Sequence, residues 1–146
     1  MPRVIQVNAA VLLIALSTFM FSCGVRTGNV VLIPSGYKGW ITIRYEVKDA
    51  MALPKEGIRT VLRVPSSGIV NTSNSRPNGY GVDTYYAVSP QGVRTRIPTE
   101  TDSCSANQKC VRRFQFFTSP RIVTVFFVGT AEDISRFPKP TIRTDQ

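Results

Sequence analysis

Three cysteines, one Ser-x-x-Lys quartet and eight carboxylates scattered over residues 46–133 are the residues that offer this chain reactive chemistry. Cys23 follows Met20-Phe21-Ser22 and precedes Gly24. That is the arrangement of a lipobox, in which the thiol takes a lipid and becomes the first residue of the processed chain. An odd number of cysteines leaves one to explain in an exported protein. Lipidation of Cys23 accounts for it, and Cys104 and Cys110 are then left to pair. Their spacing is not Cys-x-x-Cys and no helix start precedes them, so a structural disulfide is expected rather than a redox couple. Closing so short a loop is worth about 2–2.5 kcal/mol in the chain-entropy account. Two thiols in a chain without histidine make a poor transition-metal site.

Ser35-Gly36-Tyr37-Lys38 fits the Ser-x-x-Lys pattern of penicillin-binding serine enzymes. That chemistry requires the serine at a helix start, with the lysine one turn on. Gly36 and Gly39 around Tyr37-Lys38 read as a turn between strands instead, and the Ser-Asp-Asn and Lys-Thr-Gly partners are absent. Glu46, Asp49, Glu56, Asp83, Glu100, Asp102, Glu132 and Asp133 offer no pair that stands out as an acid and base facing across a cleft. Glu100 and Asp102 share a loop, but two carboxylates fall short of a calcium shell unless backbone carbonyls complete it. The expectation is a protein with no catalytic residues, no metal and no cofactor.

Binding is the remaining option. Exposed aromatic rings can stack on sugars, and Tyr37, Lys38, Tyr80, Tyr85 and Tyr86 form the expected binding surface. Tyr85 and Tyr86 are adjacent on a strand, so one faces inward and the other outward. Trp40 is expected to pack in the core. The formal net charge is +9. A basic patch would suit an anionic envelope polymer or an acidic protein, whereas an export signal argues against nucleic acid. Arg44, Arg59, Arg63, Arg94, Arg96 and Arg112 alternate with apolar residues, which fits the solvated faces of strands, and no long block of one sign occurs.

Residues 1–22 have the three parts of an export signal: Arg3 and the amino terminus, an apolar stretch uninterrupted from Ala9 to Leu16, and a short lead to the cut. An uncleaved membrane anchor is the alternative, since Val4–Phe21 approaches the roughly 20 residues that a span requires. Ordinary secretion is the third possibility. Residues 23–29 read as a tether, 30–138 as one domain and 139–146 as a loose tail.

The domain reads as all-β. Val30–Ile33, Trp40–Val47, Ile58–Val64, Asp83–Val88, Val93–Ile97, Val111–Phe117 and Ile122–Val128 are short strand signals bounded by Gly, Pro, Ser and Asn. In Trp40–Val47 the residues Ile41, Ile43, Tyr45 and Val47 share one face. In Ile58–Val64 the residues Ile58, Leu62 and Val64 point inward and Arg59 and Arg63 outward. Ser89-Pro90-Gln91-Gly92 is a hairpin turn, and Pro65-Ser66-Ser67-Gly68 and Thr118-Ser119-Pro120 are further turns. Asn71–Gly81 is a long polar loop. Ile122–Val128 is apolar on both faces, as a central covered strand should be. Thr130 starts one helical turn. Seven or eight such strands imply an antiparallel β-sandwich, with a small β-barrel as the alternative.

Three landmarks carry a family resemblance: Leu32-Ile33-Pro34-Ser35-Gly36-Tyr37-Lys38-Gly39, Pro65-Ser66-Ser67-Gly68-Ile69 and Phe127-Val128-Gly129-Thr130. In these the chain resembles small bacterial domains of unknown function, often borne on lipoproteins. The resemblance implies a β-sandwich of the cell envelope and brings no activity with it. The Cys104/Cys110 pair is not among the shared landmarks. Together these readings describe a non-enzymatic domain, anchored to the membrane through lipidated Cys23 and facing outside the cytoplasm. Its ligand would be an anionic envelope polymer, a glycan or a protein.

Overall fold

A computed structural model describes residues 26–142 except Tyr80 and Pro120. The export signal, Cys23, Tyr80 and the Pro120 corner of one turn therefore lie outside the described residues. The remainder forms nine strands: β1 (Val30–Pro34), β2 (Gly39–Arg44), β3 (Lys55–Glu56), β4 (Arg59–Arg63), β5 (Ile69–Asn71), β6 (Thr84–Val88), β7 (Arg94–Ile97), β8 (Cys110–Phe117) and β9 (Val123–Gly129). One helical turn follows, α1 (Asp133–Arg136). Among the described residues no helix is long and apolar enough to cross a membrane.

The strands make a β-sandwich of a five-stranded sheet, β3-β4-β1-β6-β7, and a four-stranded sheet, β5-β2-β9-β8. Both sheets have open edges among the described residues, so the barrel alternative does not hold. The sheets are mixed rather than antiparallel throughout: β1 runs parallel to β4 and β6, and β2 runs parallel to β5. The cause lies in two turns. Ser35–Lys38 and Pro65–Gly68 do not join neighbours in one sheet but carry the chain across the sandwich, from β1 to β2 and from β4 to β5. Two such arches stacked side by side leave β1 parallel to β4 and β2 parallel to β5. The expected hairpin turn at Ser89–Gly92 does join neighbours, with the Gly92 amide donating to the Ser89 carbonyl at 2.9 Å.

Alternation builds the core between the sheets. Val31 and Ile33 of β1, Ile41 and Ile43 of β2, Leu62 of β4, Tyr85 of β6 and Phe126 and Val128 of β9 all turn inward and are buried. β9 is buried at every position, as its unbroken apolar run requires. A smaller cluster, Val30, Leu32 and Val61 with Tyr86 and Val88, lies on the opposite face of the five-stranded sheet. Arg94 of β7 and Glu56 of β3 meet over that face through two contacts of 2.6 and 2.9 Å. They belong to opposite edges, which a flat sheet would hold about 19 Å apart, so the sheet curls around this cluster.

Three sequence expectations need correction. Ile58 is 81 % exposed rather than inward, because Gly57-Ile58 forms the two-residue turn between β3 and β4, where Glu56 pairs with Arg59. Arg59 is not a solvated face residue. Its guanidinium reaches across the start of β1 and donates to the Gly28 and Asn29 carbonyls at 2.9 Å and to the Thr84 hydroxyl at 2.7 Å. The described part of the expected tether, Arg26–Asn29, is built into the fold. The Asp83 carboxylate accepts from the Asn29 amide at 2.7 Å and from Arg26 at 3.1 Å, and any side chain at Gly28 would overlap the Val82 carbonyl.

Candidate functional site

The three landmarks meet at one end of the sandwich. The two arches lie against each other there: the Tyr37 hydroxyl donates to the Trp40 carbonyl at 2.6 Å, and the Thr42 amide donates to the Gly68 carbonyl at 2.8 Å. The third landmark ends beside them. The Asp133 carboxylate is buried and accepts from the Thr130 amide at 3.0 Å and the Thr130 hydroxyl at 2.9 Å. The Lys38 ammonium lies 3.4 Å from it. So Lys38, expected on a binding surface, is tied to a structural carboxylate, although half of it remains exposed. Ser35–Lys38 is a turn, which rules out the helical geometry of a serine acyl-enzyme site.

The Thr130 donors, chiefly, and then Lys38 hold the Asp133 carboxyl below the ordinary carboxylate range. The folded state thus prefers the ionised form. The stability this confers is present above about pH 4 and is lost as pH falls through the depressed value. Asp133→Asn is expected to flatten the decline in Tm from about pH 4 downward and to lower Tm at neutral pH. Parallel thermal melts of both proteins across that range check it.

Among the described residues, the expected aromatic surface is not brought together. Tyr85 is 5 % exposed and packs edge-on against Phe126 at 5.5 Å between ring centroids, and burial raises its phenol well above the ordinary value. Tyr86 lies half-buried on the other face of the sheet, as adjacent strand positions require. Tyr37 is half-buried, and burial raises its phenol too. Arg112, expected on a solvated face, is 6 % exposed. It donates to the Gly129, Ser105 and Gln108 carbonyls, which ties down the loop closed by the Cys104–Cys110 disulfide. Lys109, in the same loop, donates to the Ser35 carbonyl at 2.8 Å. Burial, and then the nearby Lys38 charge, depress its ammonium.

A different set of residues forms a groove on the outer face of the four-stranded sheet. Trp40, Thr42 and Arg44 project from β2 at alternate positions, beside Val123 of β9 and Ile69 of β5. Ser67, Arg121 and the stretch Pro140–Ile142 complete a cavity of about 270 Å³. The tail expected to be loose is therefore one wall of this groove as far as it is described. Trp40 is half-buried. Its ring meets Phe127 edge-on at 5.3 Å, and its indole nitrogen donates to the Phe137 carbonyl at 3.0 Å. Arg44 and Arg121 also border an adjoining depression with Tyr45, Glu46 and Lys48. Neither arginine has a carboxylate within 4.0 Å among the described residues. The groove thus combines an indole wall, three hydroxyls and two guanidinium groups, the fittings for a polar, negatively charged ligand with a ring or carbon face.

Sequence reasoning placed Arg44 on a solvated strand face and passed over Arg121. The available signal was that Arg44 shares its face of β2 with Trp40 and Thr42, so a large aromatic and a cation stand on one surface. Arg121 and the tail come from far along the chain, and only the fold places them there. The loop carboxylates are engaged with their own chain: Asp102 accepts from the Thr99 amide and hydroxyl at 2.9 and 3.0 Å, and Glu100 from the Arg113 amide at 2.9 Å. Among the described residues no group of three or more His, Cys, Asp and Glu stands together as a metal site.

A family model described as a family of unknown function, DUF6843, matches residues 25–119. The first two landmarks fall inside that stretch, and Phe127–Thr130 lies beyond it. The fold is similar to a 2.75 Å crystal structure of a protein named as a candidate lipoprotein from Bacillus anthracis. The TM-score is 0.55 and the identity 23%, over 83% of this chain and 84% of that one. No curated protein matches the chain.

Proposed function

Since the chain belongs to the family of unknown function DUF6843, which supplies a fold and no reaction, we propose that it is a non-enzymatic, lipid-anchored domain of the bacterial cell envelope that binds an anionic glycopolymer segment in the Trp40–Arg44–Arg121 groove. The observation that carries this reading is the joining of an aromatic wall to two guanidinium groups that meet no carboxylate among the described residues. Anchoring rests on the lipobox at Cys23, and the name of the Bacillus anthracis relative is in keeping with it. The non-enzymatic reading is supported by the commitment of Glu56 to Arg94, of Asp83 to Arg26 and of Asp133 to Thr130 and Lys38.

Titration calorimetry of the protein with a glycerol-phosphate polymer, and with an uncharged oligosaccharide of similar length, tests the proposal. Arg44→Gln and Arg121→Gln are each expected to weaken binding of the polymer about tenfold, the cost of one charge-assisted contact. Raising the salt from about 0.05 to about 0.5 M should weaken it further. Equal, salt-insensitive binding of the uncharged sugar would assign the groove to neutral glycans through Trp40 alone. Polymer binding that both substitutions leave unchanged would remove the groove from the account.

A further inference from the structure

The apolar side chains that this protein leaves in solvent are not spread evenly. β1, β4 and β6 run parallel and begin at the same end of the sandwich, the end at which Arg26 leads the chain in. β8 finishes there, since Phe117 pairs with Val123, which in turn pairs with the last residue of β2, Arg44. Ile58 and Val82, just before β4 and β6, are 81 % and 80 % exposed. Phe114 and Phe116 of β8 are about half exposed. Val82 and Phe114 line one cleft of about 340 Å³ together with Arg26. The guanidinium of Arg76 lies 4.2 Å from the centroid of the Phe116 ring. Among the described residues, the large exposed apolar side chains toward the opposite end are Ile69 and Val93.

We propose that this end of the sandwich docks on the surface of an anionic bilayer, with Ile58, Val82, Phe114 and Phe116 entering the headgroup region and Arg76 meeting lipid phosphates. The proposal rests on the reading of Cys23 as the lipidated residue. Arg26 is fixed to Asp83 and packs against Gly81, where an added Cβ would lie 2.7 Å from the Arg26 carbonyl. Cys23 is three residues earlier, and an extended chain of that length spans at most about 11 Å. An acyl chain on Cys23 therefore brings the bilayer surface within about that distance of Arg26, at this end of the domain. Apolar side chains and aromatics beside cations are the composition that an interface takes up, and exposed Lys48 and Lys55 near the same end add attraction to anionic lipid, against Glu46 and Asp49. Docking would point the stacked arches away from the membrane.

Nitroxide accessibility on the full chain decides this. With Cys23 acylated and Cys104 paired to Cys110, a single introduced thiol can be labelled. Val82→Cys and Ile58→Cys report the docking end, and Gln91→Cys, in the turn between β6 and β7, reports the opposite end. The labelled proteins are reconstituted into phosphatidylglycerol-containing vesicles. At positions 82 and 58 the ratio of collision with oxygen to collision with an aqueous nickel chelate is expected to rise at least threefold over position 91. Vesicle-bound, acylated protein with the same ratio at all three positions overturns docking while leaving lipidation intact. Protein that stays in the supernatant and carries no acyl group by mass overturns both.

Discussion

Gly68→Val is expected to lower the free energy of unfolding by about 3 kcal/mol, from a left-handed backbone forced on a branched residue and from overpacking. Gly68 closes the second arch at φ +73°. A Cβ there would overlap the Tyr37 hydroxyl and stand 2.7 Å from the Trp40 carbonyl. The Trp40 carbonyl is backbone and cannot give way, and the Tyr37 hydroxyl is held to it by a hydrogen bond. Gly36 is the control, because it lies in the first arch with nothing within 4 Å of its hypothetical Cβ. Gly36→Ala should change stability by no more than about 0.5 kcal/mol. Urea denaturation of the two variants measures the contrast. Tyr37→Phe should restore part of the loss in a Gly68→Ala background, since it removes the atom that the new methyl would strike. Additive losses would show that the two arches do not press on each other.

The second large effect is expected at Phe127. Its side chain is fully buried and packs against both Trp40 and Phe137, with ring centroids 5.3 and 5.8 Å away. Phe127→Ala should cost about 3–5 kcal/mol. Phe116→Ala, on the neighbouring strand but 55 % exposed, should cost less than about 1 kcal/mol. Phe127 also backs the Trp40 wall of the groove. The milder Phe127→Leu, which keeps most of the volume, should therefore weaken polymer binding more than it weakens the fold. Paired denaturation and titration curves would show this. Loss of stability with unchanged binding would detach the groove from the aromatic stack beneath it.

Much of the fold is legible in the residues, because it depends on local pattern. Strict alternation marked Ile41, Ile43 and Tyr45 as one face, and all three are buried. The unbroken run Ile122–Val128 marked a strand covered on both sides, and β9 is buried throughout. Pro90 and Gly92 marked a hairpin turn at the positions where one forms. What pattern could not decide is where a turn sends the chain. Ser35–Lys38 and Pro65–Gly68 carry the same turn chemistry as a hairpin but cross between sheets, and the parallel pairs follow from that choice. Long side chains were also misread. Arg59 and Arg112 alternate like solvated residues, yet each finds backbone carbonyls in a segment distant enough in sequence, or so folded back, that spacing does not reveal it. The candidate site was legible only in its parts. Trp40 and Arg44 lie four residues apart on one face, whereas Arg121 and Pro140–Ile142 join them only through the order of β2 and β9 in the sheet.

The reading of an envelope-anchored binding domain turns on Cys23, because both the orientation of the molecule and the polymers within its reach depend on it. The direct measurement is the mass of the N-terminal peptide of the protein recovered from the membrane fraction, with Cys23→Ser beside it. The account predicts a chain that begins at Cys23 with two or three acyl groups, and a Cys23→Ser protein that is neither processed at that position nor acylated. A native chain that still begins at Met1, or one with a new and unacylated terminus, would contradict it.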